Sequence, residues 1–156
     1  MCEQDSEEIN KIIEKEIELI RNDHTIDDTE KEMLIKARVG QGIFRKNLIE
    51  KYEKCIITGI DEAKLLLASH IKPWCYSNNV ERLSVENGLL LSPLYDSLFD
   101  KGLITFDDDM RILISNKLSA KNIAIINIDT SKKYIEKPSD EMLNYMKYHR
   151  KNIFKN

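Results

Sequence analysis

The chain has 156 residues, of which 42% are apolar and 33% are charged, with only 5 Gly and 3 Pro. Its length fits one domain, and its composition argues against disordered, collagen-like and repeat architectures. No apolar run reaches the roughly 20 residues of a membrane span, the acidic N-terminus does not resemble a secretory signal, and three cysteines without a CxxC pair argue against a disulfide framework. We therefore expect a cytoplasmic protein.

The net charge of −3 conceals an uneven distribution. Residues 1–30 carry 3 basic and 11 acidic side chains, whereas residues 31–54 and 132–156 each carry 7 basic and 3 acidic ones. The middle, residues 55–131, carries 7 basic and 10 acidic side chains. Two interpretations stay open: the basic segments contact a polyanion while central carboxylates hold a metal, or all of these are solvated helix faces.

The first half of the chain predicts helices. Residues 6–23 carry isoleucines at helical spacing behind Ser6, a plausible N-cap. Asp27 or Asp28 is expected to cap a second helix, which Gly40 and Gly42 should interrupt. A third helical run is expected to follow as far as residue 52.

The pattern changes at residue 55. Residues 55–59 and 65–71 predict two antiparallel strands joined by a turn at 60–64, followed by a long ordered loop over 74–87. A brief strand at 89–91 leads into a helix over 94–101, with Ser92 as N-cap and Gly102 after its end. A hairpin of 103–106 and 111–115 and a final helix over 139–154 complete a single α+β domain.

Three kinds of polar residue interrupt this apolar pattern. His70 ends the run of leucines, Asn87 follows 17 residues later, Asp96 follows after 9 more, and Asp100 after another 4. Each has an ordinary structural explanation: a strand-end His is often structural, Asn-Gly is a common turn, and Asp favours the first turn of a helix. Their order and spacing together favour a catalytic site.

This arrangement resembles the His-Asn-His (HNH) endonucleases, in which a β-hairpin and a helix enclose one metal ion. The likeness extends over roughly residues 36–155 and rests on four stretches: GQGIFRKNLIEKY at 40–52, CIITGIDEAKLLLASHIKPW at 55–74, NVERLSVENGLLLSPLYDSLFDKGLITF at 79–106 and YMKYHRKNIFK at 145–155. It implies a ββα-metal core in a nuclease domain over residues 36–156, preceded by an accessory or dimerising acidic helical segment over residues 1–35.

The resemblance also implies roles for the site residues. His70 corresponds to the general base, and Asn87 to the residue that braces the site. Asp96 occupies the position of the family's last His, and Asp100 is a weaker second ligand, so one Mg²⁺ or Mn²⁺ ion is expected. Ser69 departs from relatives that carry a metal-ligating Asp or His just before the base, which leaves the ligand set open.

The implied reaction is hydrolysis of phosphodiester bonds in DNA, most plausibly double-stranded, with a role in restriction or anti-phage defence. The alternative is a non-catalytic nucleic-acid-binding or interaction module that retains the HNH fold. The acidic leader is expected to form ordinary structure or a homodimer or partner contact, or else to cover the DNA-facing surface. The candidate DNA contacts are Gln41, Arg45, Lys72, Arg82 and Arg150.

Overall fold

A computed structural model describes residues 3–156, except for the side chains of residues 3–6, 8 and 9. Cys2 and the side chains of Ser6 and Ile9, which entered the sequence predictions, therefore lie outside the described residues. The helices are α1 (Glu3–Asn22), α2 (Asp28–Tyr52), α3 (Asn79–Leu83), α4 (Pro93–Asp100), α5 (Ala120–Ile126) and α6 (Asp140–Asn152), and the strands are β1 (Leu67–His70), β2 (Gly88–Leu91), β3 (Ile104–Phe106) and β4 (Ile112–Ile114). The α+β class and the single domain are as the sequence predicted.

The strands form two antiparallel pairs that share a core with the helices. In the first pair Leu67 lies opposite Leu91 and His70 lies opposite Gly88; β3 and β4 form the second pair. Strand β2 is buried along its whole length, which explains its uninterrupted leucines. Its leucines pack with side chains from α2, α4 and α6, among them Phe44, Leu48, Phe99 and Met146. Among the described residues, none of the helices combines the length and apolar character needed to cross a membrane.

Helix α2 is longer than the sequence predicted. Asp27 caps it by accepting a hydrogen bond from the backbone N–H of Glu30, as expected, but the helix continues through Gly40 and Gly42 without a break. A Cβ at Gly42 would collide with Ile13 of α1, so this glycine permits close packing between helices rather than ending one. The predicted domain boundary between residues 35 and 36 thus falls inside a continuous helix.

Two further details, the start of α1 and the conformation of residues 55–59, also differ from prediction. Residue 6 lies within α1, so Ser6 is not its N-cap. Residues 55–59 form a turn instead of a strand, because the Gly59 N–H donates to the carbonyl of Cys55 and Gly59 adopts a φ of +76°. The strand that pairs with β1 is therefore β2, and the segment joining the two strands is residues 71–87 rather than 60–64.

That connecting segment is also more regular than a loop. It contains α3, whose N-cap Asn78 forms a capping box with Glu81, and two single-turn 3₁₀ helices. Helix α5, capped by Ser119, was not predicted. Helix α4 with the turn at Gly102, the β3–β4 hairpin and the final helix α6 agree with the sequence analysis, and the structure gives Ser139 as the cap of α6.

Candidate active site

His70 is the last residue of β1 and is held on three sides. Its ring stacks on Phe44 of α2 with centroids 3.8 Å apart, and Trp74 meets it edge-on at 5.5 Å. Its Nε2 lies 2.9 Å from the carbonyl oxygen of Arg82. Because a carbonyl only accepts, Nε2 carries the proton in the neutral ring, and the lone pair is on Nδ1. Burial lowers the pKa of His70, which favours this neutral form.

Asn87 is completely buried and connects both ends of the segment between β1 and β2. Its Oδ1 accepts the backbone N–H of Lys72 at 2.8 Å, while its Nδ2 donates to the carbonyl of Glu81 at 3.0 Å and to that of Lys72 at 3.3 Å. The amide therefore fixes the backbone next to Arg82, whose carbonyl orients His70. These contacts are those of a bracing residue.

Asp96 contacts the other face of the same strand. Its Oδ1 accepts a hydrogen bond from the hydroxyl of Ser69, which is buried. Consecutive residues of a strand project to opposite faces, so Ser69 is directed towards α4 while His70 is directed towards α2. The structure thus places Asp96 beside Ser69 and gives it no direct contact with His70.

Asp100 lies one turn after Asp96, on the same side of α4. Partial burial, and secondly the charge of Asp96, raises the pKa of Asp100. The two carboxylates therefore repel each other, and a cation placed between them would relieve that repulsion.

The donor set suits a hard cation that keeps much of its hydration. Among residues 3–156, no group of three or more His, Cys, Asp or Glu side chains is placed so as to hold a metal ion. Asp96 and Asp100 with the Ser69 hydroxyl offer oxygen atoms alone, and Mg²⁺ is commonly held by one or two carboxylates together with water and substrate phosphate. The residues present fit such an ion.

The predicted DNA contacts have partners within the protein. Arg45 donates to the carbonyls of Leu66 and Ala63, and Lys72 pairs with Glu81. Arg82 lies over the Trp74 ring at 4.7 Å and donates to the Trp74 carbonyl. The remaining two do likewise: Arg150 binds the Phe106 carbonyl and Asp108, and Gln41 accepts from Arg38. These side chains support the fold, and their part in binding DNA stays a prediction.

A cavity of about 530 Å³ opens beside His70. Side chains of α1, α2 and β1 surround it, and the polar ones are Arg38, Gln41, Arg45, Lys64 and His70. Sequence reasoning missed Arg38 here, although it lies in the basic segment 31–54. It also missed Phe44 as the residue on which the imidazole stacks, because a helical apolar stripe does not say which polar group it meets.

A strand pair ending in a half-buried imidazole, followed by a short helix bearing carboxylates, defines an α+β domain with a candidate hydrolytic site. The family model described as HNH endonuclease matches residues 55–107. That segment contains His70, Asn87, Asp96 and Asp100, so the match supports a likeness of residues 55–107 to the HNH endonuclease family. No curated protein matches the chain in sequence.

Proposed function

We propose that this protein is a metal-dependent endonuclease that hydrolyses phosphodiester bonds of double-stranded DNA. The observation that carries the proposal is His70, which lies within the matched segment with one ring nitrogen anchored and the ring lining an open cavity. The restriction or anti-phage role stays a prediction from the resemblance.

His70 acts as the general base. Its Nδ1 has no hydrogen-bond partner among the described residues, and its Nε2–H is fixed by the Arg82 carbonyl, so Nδ1 is the atom that takes a proton from the attacking water. The proton held at Nε2 strengthens its bond to the carbonyl once the ring becomes positively charged. Asn87 keeps that carbonyl in place through the contacts described above.

Asp96, Asp100 and the Ser69 hydroxyl would hold the divalent ion on the face of β1 opposite to His70, so a phosphate that both groups serve would have to lie across the end of β1. Such an ion supplies charge neutralisation at the phosphate and at the departing oxygen. The protein keeps the two carboxylates on one side of α4, so the helix backbone fixes their spacing. This helix begins at Pro93, directly after its N-cap residue Ser92.

One observation favours the alternative, a non-catalytic module with the HNH fold. Ser69 stands where relatives carry a charged or imidazole ligand, and the described residues contain no cluster of three acidic, His or Cys metal ligands. Such a module would bind DNA with the same affinity whether or not metal was present.

The test compares plasmid nicking by the native protein, the His70→Ala variant and a His24→Ala variant. His24 is exposed and lies between α1 and α2, so its loss controls for removal of an imidazole as such. Loss of a general base typically lowers a rate 10²–10⁴-fold, and we expect a drop of about 100-fold or more for His70→Ala alone. Conversion of supercoiled to open-circular DNA with Mg²⁺, Mn²⁺ or EDTA provides the measurement.

Equal nicking by the native and His70→Ala proteins would reject His70 as the base. Metal-independent DNA binding without any nicking would instead favour the non-catalytic module.

A further inference from the structure

The cavity beside His70 is closed on one side by α1. Ile12 and Ile13 of α1 line it together with Arg38, Phe44 and His70, so the acidic helix lies over the same opening that leads to the candidate base. Any polyanion that approached His70 through this cavity would meet α1 first.

A carboxylate of α1 contacts a cation of this cavity. Glu16 forms an ion pair with Arg38, which lines the cavity wall. The paired atoms, Oε2 of Glu16 and Nε of Arg38, are shielded from solvent, and their contact does not have hydrogen-bond geometry. Arg38 also donates to Gln41, and Glu16 is its carboxylate partner among the described residues, so a DNA phosphate oxygen would compete with Glu16 for this guanidinium.

The lining of the cavity contains no negatively charged side chain. Its ionisable side chains are Arg38, Arg45, Lys64 and His70, and no carboxylate is among the lining residues. Arg45 binds only backbone carbonyls, and no carboxylate pairs with it among the described residues. A cavity with such a lining suits a phosphate group.

Helix α1 packs on α2 beside this cavity. None of its described side chains is fully buried, and its packing is against α2. The side chains of Glu16 and Arg38 are 43% and 33% exposed overall, although the two paired atoms are shielded. The two helices approach closely at Gly42 of α2, because a Cβ added there would collide with Ile13 of α1. Such a helix can be displaced without unfolding the core.

We propose that Arg38 is a phosphate-binding residue of the DNA site and that α1 is an autoinhibitory cover, with Glu16 occupying Arg38 until DNA phosphate replaces it. This inference rests on the proposed function, since it assigns regulation to the same site. The cover lowers DNA affinity, because α1 must first separate from α2 at a cost in free energy. Removal of the Glu16 charge lowers this free-energy cost.

The first test measures the affinity for a fluorescein-labelled DNA duplex by anisotropy, at low salt and without metal. We expect Glu16→Gln to bind at least 3-fold more tightly than the native protein. Glu18→Gln is the matched control, because it removes the same charge from an exposed position of α1 that has no ion pair among the described residues. Arg38→Ala should bind more weakly than the native protein and should cancel the gain when combined with Glu16→Gln.

A second test locks the cover covalently. A Cβ at Gly42 would lie 3.6 Å from Cγ1 of Ile13, so Ile13→Cys with Gly42→Cys places two sulfurs within disulfide reach. In this double-cysteine variant, Cys2 and Cys75 are also replaced by Ser to prevent mispairing. We expect the oxidised form to bind the duplex at least 5-fold more weakly than the same protein after reduction, and to nick plasmid correspondingly more slowly.

Equal DNA binding by the oxidised and reduced forms, or equal gains for Glu16→Gln and Glu18→Gln, would overturn the cover. Failure of the proposed nuclease activity is distinguishable from this outcome, because the affinity measurements need neither metal nor cleavage. A cover that is confirmed by binding in a protein that never nicks DNA would refute the endonuclease and leave α1 as the gate of a DNA-binding surface.

Discussion

Two imidazoles, the half-buried His70 and the buried His149, have similar surroundings but differ in the partners of one ring nitrogen. His70 and His149 each stack on a phenylalanine at 3.8 Å and each place Nε2 against a backbone carbonyl. In His149 the other nitrogen also has a partner, the Thr105 hydroxyl at 2.9 Å, and the side chain is only 1% exposed. His70 instead lines a cavity and keeps Nδ1 available. These contacts are why we propose His70, and not His149, as the base; both ring nitrogens of His149 are held by the fold.

His149 makes stability depend on pH. Burial lowers its pKa from 6.5 to about 4, so the unfolded chain takes up this proton first as the pH falls. Stability from this residue is complete above pH 6.5 and is lost progressively between pH 6.5 and pH 4, by on the order of 3 kcal/mol. Urea unfolding across this range is expected to show a steeper loss for the native protein than for His149→Gln.

Subtraction of the two profiles isolates His149, because other groups also titrate in this range. The pKa of His70 is lowered as well, and Glu81 and Glu86 have pKa values lowered by hydrogen bonds, so both profiles fall in acid. Parallel profiles would contradict the assignment.

The position of Ser69 predicts the effect of restoring a charged ligand. In Ser69→Asp a third carboxylate would stand beside Asp96 and Asp100, so the metal-free variant should unfold at a lower temperature than the native protein. Bound Mg²⁺ or Mn²⁺ should reverse this loss, and each tenfold gain in affinity adds about 1.4 kcal/mol of metal-dependent stability.

Thermal unfolding with and without metal measures this effect, and the uncharged Ser69→Asn variant is the control for shape. A metal-induced shift no larger in Ser69→Asp than in Ser69→Asn would show that Asp96 does not face a cation.

At the scale of elements, α2 connects most parts of the molecule. It supplies Phe44 beneath His70, packs against both strands of the first pair and carries the contact with α1. Sequence periodicity located this helix, but it placed a break at the two glycines because glycine usually disfavours helix interiors. The helix runs through both glycines, and close packing takes the place of a side chain only at Gly42, where a Cβ would meet Ile13 of α1.

Glycine-to-alanine substitutions separate these effects. A Cβ at Gly88 would lie 2.6 Å from Phe44 and 2.7 Å from Leu48, so Gly88→Ala should destabilise the protein by about 1–3 kcal/mol and disturb the ring beneath His70. Gly40 has room for a methyl group, with its nearest neighbour at 3.5 Å. Gly40→Ala should therefore stabilise α2 by about 0.5–1 kcal/mol.

Urea denaturation midpoints for the two variants decide the matter. A Gly88→Ala variant as stable as the native protein would mean that α2 can move away from β2 without cost. A destabilised Gly40→Ala variant would show that α3 or Trp74 packs more closely on α2 than the contacts imply.

At the scale of the whole molecule, the core lies entirely within residues 44–146. None of the described side chains of α1 belongs to it, although α1 packs on α2 through half-buried isoleucines. The acidic leader and the remainder of the chain thus differ in burial as well as in charge.

A chain that lacks residues 1–26 is expected to retain a single cooperative unfolding transition in urea, with a slope close to that of the full chain, because little core surface is lost. Asp27 is retained in this shortened chain as the cap of α2. A broad or non-cooperative transition would show that α1 is part of the core after all.

The sequence by itself determined the α+β class, a cap at Asp27 or Asp28, helix α4, the β3–β4 hairpin and the residues of the HNH segment. These features depend on local chemistry: capping side chains, a proline in the first turn, a left-handed glycine, and motif spacing. Such signals are carried by residues near one another in the chain.

Only the tertiary structure decided which strand pairs with β1, that α2 runs unbroken, that Ser69 and His70 serve opposite faces, and that Arg38 and Glu16 meet at the cavity. Each of these depends on residues distant in sequence coming into contact. Periodicity identifies which face of an element is apolar, but packing between elements decides what that face touches.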